Sequence, residues 1–321
     1  MNERLAAAFA LLPEYLGWHV LLSASALMLG VLISLPLAVA ASRSPRLRWP
    51  VLAGASLIQT IPSLALLALF YPLLLAISAL SKAWFGHGFS ALGFLPSLLA
   101  LTLYSVLPIL RNAAAGILGV DPAIREAADG VGMTPRQRLF QVELPLAAPV
   151  IMAGIRTAAV WTIGAATLST PVGQTSLGNY IFAGLQTENW VFVLFGCAAS
   201  AVLALAADQL LGLVEAGARL RKPILAILGA AGLVVGVALA LLPLADFGKS
   251  ATYVVGAKNF SEQYILAELM ADRLQRAGAE VRRKEDLGSA VAYRALAAGE
   301  LDVYVDYSGT LWTNVLGRKD N

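Results

Sequence analysis

The side chains that most often do chemistry are scarce in this chain. Its 321 residues include two histidines, His19 and His87, and one cysteine, Cys197. The histidines are far apart and lack neighbouring ligands, so both are read as interfacial residues. Cys197 lies in an apolar run and is read as a small buried thiol; a single cysteine excludes an internal disulfide and a multi-cysteine metal site. No convergent His, Cys or carboxylate constellation suggests an integral-membrane enzyme, and the sequence holds no G-x-x-x-x-G-K-[ST] phosphate loop with which to hydrolyse ATP. The polar residues that do cluster are of another kind. Glu126-Ala127-Ala128-Asp129-Gly130-Val131-Gly132, followed by Val142-Glu143-Leu144-Pro145, form a helix-breaking island between two long apolar runs. Such an island is suited to touching a partner outside the bilayer.

The elements that carry the island follow from composition. The chain is 58% hydrophobic and 13% charged, where a soluble domain has about a quarter of its residues charged. A spanning helix needs about 20 mostly apolar residues. The runs that qualify are 16–41, 51–80, 94–110, 146–170, 190–214 and 224–245. Pro62 and Pro72 are expected to kink the long second run or end it early. Basic residues alternate between loops: Arg43, Arg46 and Arg48 after the first span, Arg111, Arg125, Arg136 and Arg138 after the third, Arg219, Arg221 and Lys222 after the fifth. The positive-inside rule places these loops in the cytosol and both the N-terminus and the C-terminal region outside. Trp18, Trp49 and Trp190 fall near the predicted interfaces. No convincing signal peptide opens the chain, and residues 6–12 are expected to form a short helix on the membrane surface. Arg156 and Asp208 are the costly charges within spans; near the predicted cytosolic ends, they read as snorkelling side chains or a helix-end ion pair. A net charge of +3 without a basic, aromatic-interleaved cluster argues against a nucleic-acid partner.

Within the island, Asp121-Pro122 is a good helix start, because the Asp oxygen caps free N–H groups and Pro is tolerated at the first helical position. That helix runs to about Asp129, and Gly130 and Gly132 let the chain turn. Thr134-Pro135-Arg136-Gln137 reads as a second start with capping-box spacing, and Pro145 marks entry to the next span. The result is a short, rigid helix-turn-helix, able to transmit a push where a floppy loop could not. After Pro243 the pattern turns soluble: strands at 252–256, 279–283 and 301–307 alternate with helices at 261–277 and 289–298, which implies a parallel α/β lobe.

The island resembles the coupling loop of ABC-importer permeases, written E-A-A, three residues, G, nine residues, I-x-L-P. Glu126, Ala127, Ala128, Gly132, Leu144 and Pro145 fall in register, with Val142 in place of Ile. The resemblance implies that Glu126 offers a carboxylate to a separate ATPase subunit and that Ala127 and Ala128 permit close approach. ATP and Mg would be used by that subunit, and this chain would carry no cofactor of its own. Gln59-Thr60-Ile61-Pro62-Ser63-Leu64-Ala65 and Leu107-Pro108-Ile109-Leu110-Arg111-Asn112 look more narrowly like the permeases of glycine betaine/choline/carnitine importers. Gln59, Thr60, Ser63, Asn112 and Thr162 could line a path or bond to neighbouring helices.

Two later phrases, Gly256-Ala257-Lys258-Asn259-Phe260-Ser261-Glu262-Gln263 and Tyr304-Val305-Asp306-Tyr307-Ser308-Gly309-Thr310, resemble the first lobe of osmoprotectant-binding proteins. Ser261 and Ser308 stand where that family usually has threonine, which keeps the hydroxyl. A quaternary ammonium offers no N–H to hydrogen-bond, so its recognition relies on aromatic faces, each contact worth about 0.5–2 kcal/mol. Tyr307, at a strand's C-terminal end where open α/β sheets bind ligands, is the leading ligand residue, with sheet packing as its other reading. Tyr304 points to the other face of a regular strand, and Lys258, Asn259, Ser308, Gly309 and Thr310 frame the cleft.

The expected architecture is an all-α membrane domain of about six spans, residues 1–245 with its cytosolic loop at 112–145. A partial α/β lobe follows at 250–321. Because family receptors close two lobes around the ligand, the lobe is expected to belong to a longer permease–receptor fusion, with a degenerate receptor function as the other reading. The resemblance implies a multi-pass protein of the bacterial inner membrane, paired as two copies, docking an ATPase and importing a quaternary amine. Import of amino acids or another compatible solute is the alternative within the class, and a membrane-tethered sensor the alternative outside it.

Overall fold

The computed structural model describes residues 2–244 and 253–318. Ala245, at the end of the last predicted span, and Thr252, opening the first predicted strand, lie outside the described residues. The chain starts with one continuous helix, α1 (Asn2–Arg43). Residues 6–12 are therefore its first turns and not a separate surface helix. Tertiary contact holds them: Ala8 is fully buried beside Leu177 and Tyr180, and the Tyr180 hydroxyl donates to Ala8 O at 2.5 Å.

The predicted second run is two helices, α2 (Pro45–Thr60) and α3 (Ser63–Phe85). The break falls at Ile61-Pro62, where Ile61 is extended (φ −75°, ψ 126°), as the residue before a proline prefers. Pro72 sits inside α3 without ending it. The break is stitched to α4 (Phe94–Leu118) through Tyr104: its hydroxyl donates to Ile61 O, and its backbone O accepts from Gln59 Nε2 at 3.1 Å. Two short helices follow, α5 (Pro122–Gly130) and α6 (Pro135–Arg138), and a π-helical turn over Leu139–Glu143 leads into α7 (Leu144–Ala166). Then come α8 (Gly178–Gln186), α9 (Trp190–Leu220) and α10 (Pro223–Leu241). Among the described residues, six helical stretches are long and apolar enough to cross a membrane: Glu3–Arg43, Ser63–Phe85, Phe94–Leu118, Pro135–Val172, Trp190–Leu220 and Pro223–Leu244.

Small side chains let the central helices approach. Ala38, Ala113, Ala114 and Ala147 share one buried cluster with Leu107, Leu110, Ile117 and Ile151, the kind of contact that packs helices where lipid offers no hydrophobic drive. Gly154 on α7 is one such case: a Cβ there would lie 2.6 Å from Asn112 Cβ and 2.9 Å from Pro108 O.

Two expectations reverse inside this bundle. His19 is fully buried rather than interfacial. Its Nδ1 accepts from the Leu177 N–H at 3.3 Å, which leaves Nε2 to donate to Ile163 O at 3.0 Å. It thus satisfies backbone groups near the end of α7 and at the start of α8. Cys197 is exposed, not buried; an apolar run in a span can face lipid, so hydropathy alone does not select the packed side.

The C-terminal lobe comprises β1 (Tyr253–Lys258), α11 (Ser261–Arg276), β2 (Val281–Leu287), α12 (Ser289–Ala298), β3 (Val303–Tyr304) and α13 (Ser308–Thr310). Its strands are parallel in the order β2-β1-β3, as the alternating pattern implies, although the third pairs over only two residues. The lobe is seated on the bundle. Leu287, Ala292, Ala295 and Leu301 bury against Tyr71, Leu74, Ala91 and Leu92, and Glu300 accepts from Ala91 N–H at 2.7 Å and Ser90 Oγ at 3.1 Å.

The close α4–α7 approach gives a paired test. Gly154→Val is expected to destabilise the purified protein by about 1–3 kcal/mol through overpacking. Gly164→Val on the same helix, where a Cβ meets nothing within 4 Å, should leave the melting temperature nearly unchanged. Equal melting temperatures for the two variants in detergent would contradict the packing.

Candidate coupling element and receptor lobe

Local chemistry builds the element between α4 and α7. The Asp121 side chain accepts from Ala123 N–H at 2.9 Å and caps α5, with Pro122 at its first position. Gly132 has φ +80°, the left-handed conformation that suits glycine, and turns the chain towards α6. The capping box forms as its spacing implies: Gln137 N–H donates to Thr134 Oγ1 at 3.3 Å, and Thr134 N–H donates to Gln137 Oε1 at 2.9 Å. Glu126, Ala127 and Gly132 are exposed, as is Pro145, while Leu144 is half-buried. Ala128 faces inward and is buried, so of the two alanines only Ala127 is open to a partner. Ile124, Val131 and Phe140 add exposed apolar surface, Val131 being 75% exposed.

What fastens this element is a carboxylate that the motif did not single out. Glu143, at the end of the π-helical turn, has no solvent exposure. Arg43, the last residue of α1, grips it with Nη1–Oε1 at 3.2 Å and Nη2–Oε2 at 2.5 Å. Arg138 Nε lies 3.4 Å and Arg125 Nε 3.7 Å from Oε1. Arg125 also donates from Nη2 to Leu118 O at 3.1 Å and to Ile117 O, reaching the last carbonyls of α4. Arg138 forks onto Asp129 at 2.6 and 2.5 Å. The available signal was a lone glutamate beside the motif's Leu-Pro, in a loop otherwise rich in arginine.

Arg156 and Asp208 do pair, with Nε–Oδ1 at 2.9 Å and Nη2–Oδ2 at 2.8 Å, and Glu215 joins at 2.6 Å to brace α7 against α9. Of the polar span residues, Gln59, Thr60 and Asn112 bond to backbone carbonyls, Thr60 and Asn112 within their own helices. Thr162 is buried, and Ser63 is half-buried.

In the lobe, Lys258 is fully buried and pairs with Asp306, whose other oxygen accepts from the Tyr304 hydroxyl at 2.5 Å. Burial opposes charge on Asp306, but Lys258, the Tyr304 hydroxyl and the Tyr307 N–H outweigh it and hold its pKa below the usual carboxylate value. The Lys258 ammonium lies 5.7 Å from the Tyr304 ring and 6.0 Å from that of Tyr307. Tyr307 is exposed, donates to Glu262 at 2.5 Å and stands 6.4 Å from the Phe260 ring. Asn259 is half-buried, and Ser308 and Gly309 are exposed beside half-buried Thr310. The open edge thus presents two aromatic rings and a carboxylate, of which Phe260 and Glu262 were not among the residues chosen from sequence.

The lobe meets the bundle through Asp286, which is 1% exposed. It accepts from Asn179 Nδ2 on α8 at 2.9 Å and from the Tyr264 hydroxyl. Burial pushes its pKa up to about 7; the Tyr264 and Asn179 hydrogen bonds oppose this and neighbouring Glu285 adds to it.

An all-helical set of spans with a rigid polar element at one end and a receptor-type lobe at the other defines a polytopic transport permease. The chain belongs to the family of binding-protein-dependent transport system inner membrane components, whose sequence profile matches residues 27–220. Residues 251–319 match the substrate binding domain of ABC-type glycine betaine transport systems. The choline transport system permease protein OpuBB of Bacillus subtilis is 42% identical over 197 residues, 61% of this chain and 83% of that one. The glycine betaine/carnitine/choline permease protein OpuCB of the same organism is 39% identical over 199 residues, covering 62% and 84%. The ergothioneine transport permease/ergothioneine binding protein EgtU of Helicobacter pylori is 30% identical over 305 residues, 90% of this chain but 51% of its own length. The fold is that of the inward-facing MetNI methionine ABC transporter, with TM-score 0.54 at 18% identity over 72% of this chain and 97% of the other. The chain is a transporter subunit and not an enzyme.

The raised pKa of Asp286 sets a pH dependence. The seated lobe holds a proton more tightly than a hydrated carboxyl would. Seating is therefore strongest below the ordinary carboxylate value of 3.8 and weakens as pH rises towards about 7, by at most about 1.4 kcal/mol per pH unit. Fluorophores at Leu185 and Leu269 in a Cys197→Ala background should show higher energy transfer at pH 5 than at pH 8, and Asp286→Asn should flatten the difference. An equal pH response in wild type and variant would contradict it.

Proposed function

We propose that this chain is the permease of an ATP-driven importer of quaternary amines such as choline, glycine betaine or carnitine. The observation that carries the reading is that two separate regions of one chain, 27–220 and 251–319, match the membrane and receptor parts of the same kind of transport system. The arginine-rich loops favour a cytosolic position for α5 and α6, and hence an extracytoplasmic lobe at a bacterial inner membrane. Glu126, Ala127 and Gly132, with the apolar surface of Ile124, Val131 and Phe140, serve as the dock for a separate ATPase subunit, which holds ATP and Mg. Leu144 and Pro145 start the helix that receives the push. Two copies pair to enclose the pathway.

At the lobe, Tyr307 and Phe260 offer ring faces to a methylated ammonium, and Glu262 offers charge. Lys258 and Asp306 fix Tyr304 behind them, and Asn259 with Ser308–Thr310 rims the edge. The relationship to EgtU adds ergothioneine to the solutes worth testing.

Uptake in proteoliposomes containing the co-purified ATPase tests the function. Labelled choline or glycine betaine should accumulate only with ATP, and unlabelled quaternary amines should compete where common amino acids do not. Competition by amino acids alone would favour the alternative importer. Glu126→Lys and Gly132→Asp should each reduce ATPase co-purification and uptake at least tenfold; unchanged association in both would sink the docking assignment.

A further inference from the structure

Neither short helix of the cytosolic element has a core of its own. Ala128 is the only buried residue of α5, and α6 has none. Apolar packing therefore cannot hold α5 and α6 in a fixed pose against the spans. The Glu143 carboxylate does so instead. It has no exposure, its backbone adjoins the first residue of α7, and it is ringed by Arg43 of α1, Arg125 of α5 and Arg138 of α6. Arg125 extends the contact to the carbonyls that end α4. Three helices, α1, α5 and α6, thus meet at one side chain, which stands at the entry to α7. Arg138 has a second carboxylate in Asp129, whereas Glu143 is the carboxylate on which both Arg43 and Arg125 close.

We infer that Glu143 is the positioning residue through which displacement of the α5–α6 element reaches α1 as well as α7. This rests on the reading of that element as the ATPase dock. The sequence links the element covalently only to α4 and α7; α1 packs on both of these through the cluster around Ala38 and Ala147, and its last residue is tied to the end of the element by the Arg43–Glu143 fork. A bidentate guanidinium–carboxylate pair fixes orientation as well as distance, so a tilt of the element turns the end of α1 with it. Without the carboxylate, three guanidiniums face one another around an uncharged site, and the end of α1 is released while α7 stays attached through the chain.

The test separates transmission from simple scaffolding. Full-length protein with its co-purifying ATPase is reconstituted, and ATP hydrolysis and choline uptake are measured on the same vesicles. Glu143→Gln, which keeps shape but loses charge, should retain the ATPase and its hydrolysis while uptake per ATP falls at least tenfold. Glu143→Asp, which keeps the charge on a shorter stem, should restore part of that ratio. Arg43→Gln removes only the α1 arm and should also lower the ratio, with the element still anchored by Arg125 and Arg138. Wild-type uptake per ATP in both Glu143→Gln and Arg43→Gln would overturn the inference, as would parallel loss of hydrolysis and uptake with the ATPase released. If wild-type protein captures no ATPase at all, the docking reading itself fails and the inference goes with it.

Discussion

A buried carboxylate is costly unless its charge is met, and Glu143 meets it with arginines drawn from separate helices. Removing one partner from a buried pair costs about 3–5 kcal/mol; the cost here is lowered because Arg43, Arg125 and Arg138 keep 36%, 28% and 19% of their side chains in solvent. The arrangement is specific as much as stabilising. One carboxylate can hydrogen-bond Arg43 and keep Arg125 and Arg138 within ion-pair distance only if the end of α1, the element and the entry to α7 stand in one relative pose. The exposed Glu126, Val131 and Phe140 inherit their positions from that pose.

Elsewhere in the bundle the same rule holds in weaker form: polar groups are few, and several of them fix joints. His19 bridges backbone groups near the end of α7 and at the start of α8. Tyr104 and Gln59 pin the break before Pro62. Arg156 with Asp208 and Glu215 braces α7 on α9. At the opposite end Asp286 and Asn179 join the lobe to α8. Between these joints, small residues let helices slide close without locking, which suits a protein that must change shape.

Much of this was legible in the residues. Asp121 and the Thr134–Gln137 pair announced their caps because capping is local, needing only the right oxygen three or fewer positions away. The parallel lobe followed from alternation of short strands with helices. The spans were readable because their length and apolarity answer to the bilayer, but hydropathy cannot tell lipid-facing from packed surface, which is why Cys197 was misplaced. His19 was misread for a related reason, since its partners Ile163 and Leu177 lie far along the chain. Residues 6–12 looked too short and proline-bounded to join α1, yet burial of Ala8 against Tyr180 carries the helix through Pro13. Glu143 was the least visible of all: its importance comes from arginines up to a hundred positions away, and within its own segment it is one charge among several.

The tie between α1 and the α5–α6 element through Arg43 and Glu143 can be tested by replacing the charge with a covalent link. In a Cys197→Ala background, Arg43→Cys and Glu143→Cys remove the fork, and a short bismaleimide then bridges the two thiols within one chain. The account predicts that the unbridged protein, reconstituted with its ATPase, hydrolyses ATP with little uptake, and that bridging restores most of the uptake per ATP. Full coupling before bridging, or none after it, would contradict the claim.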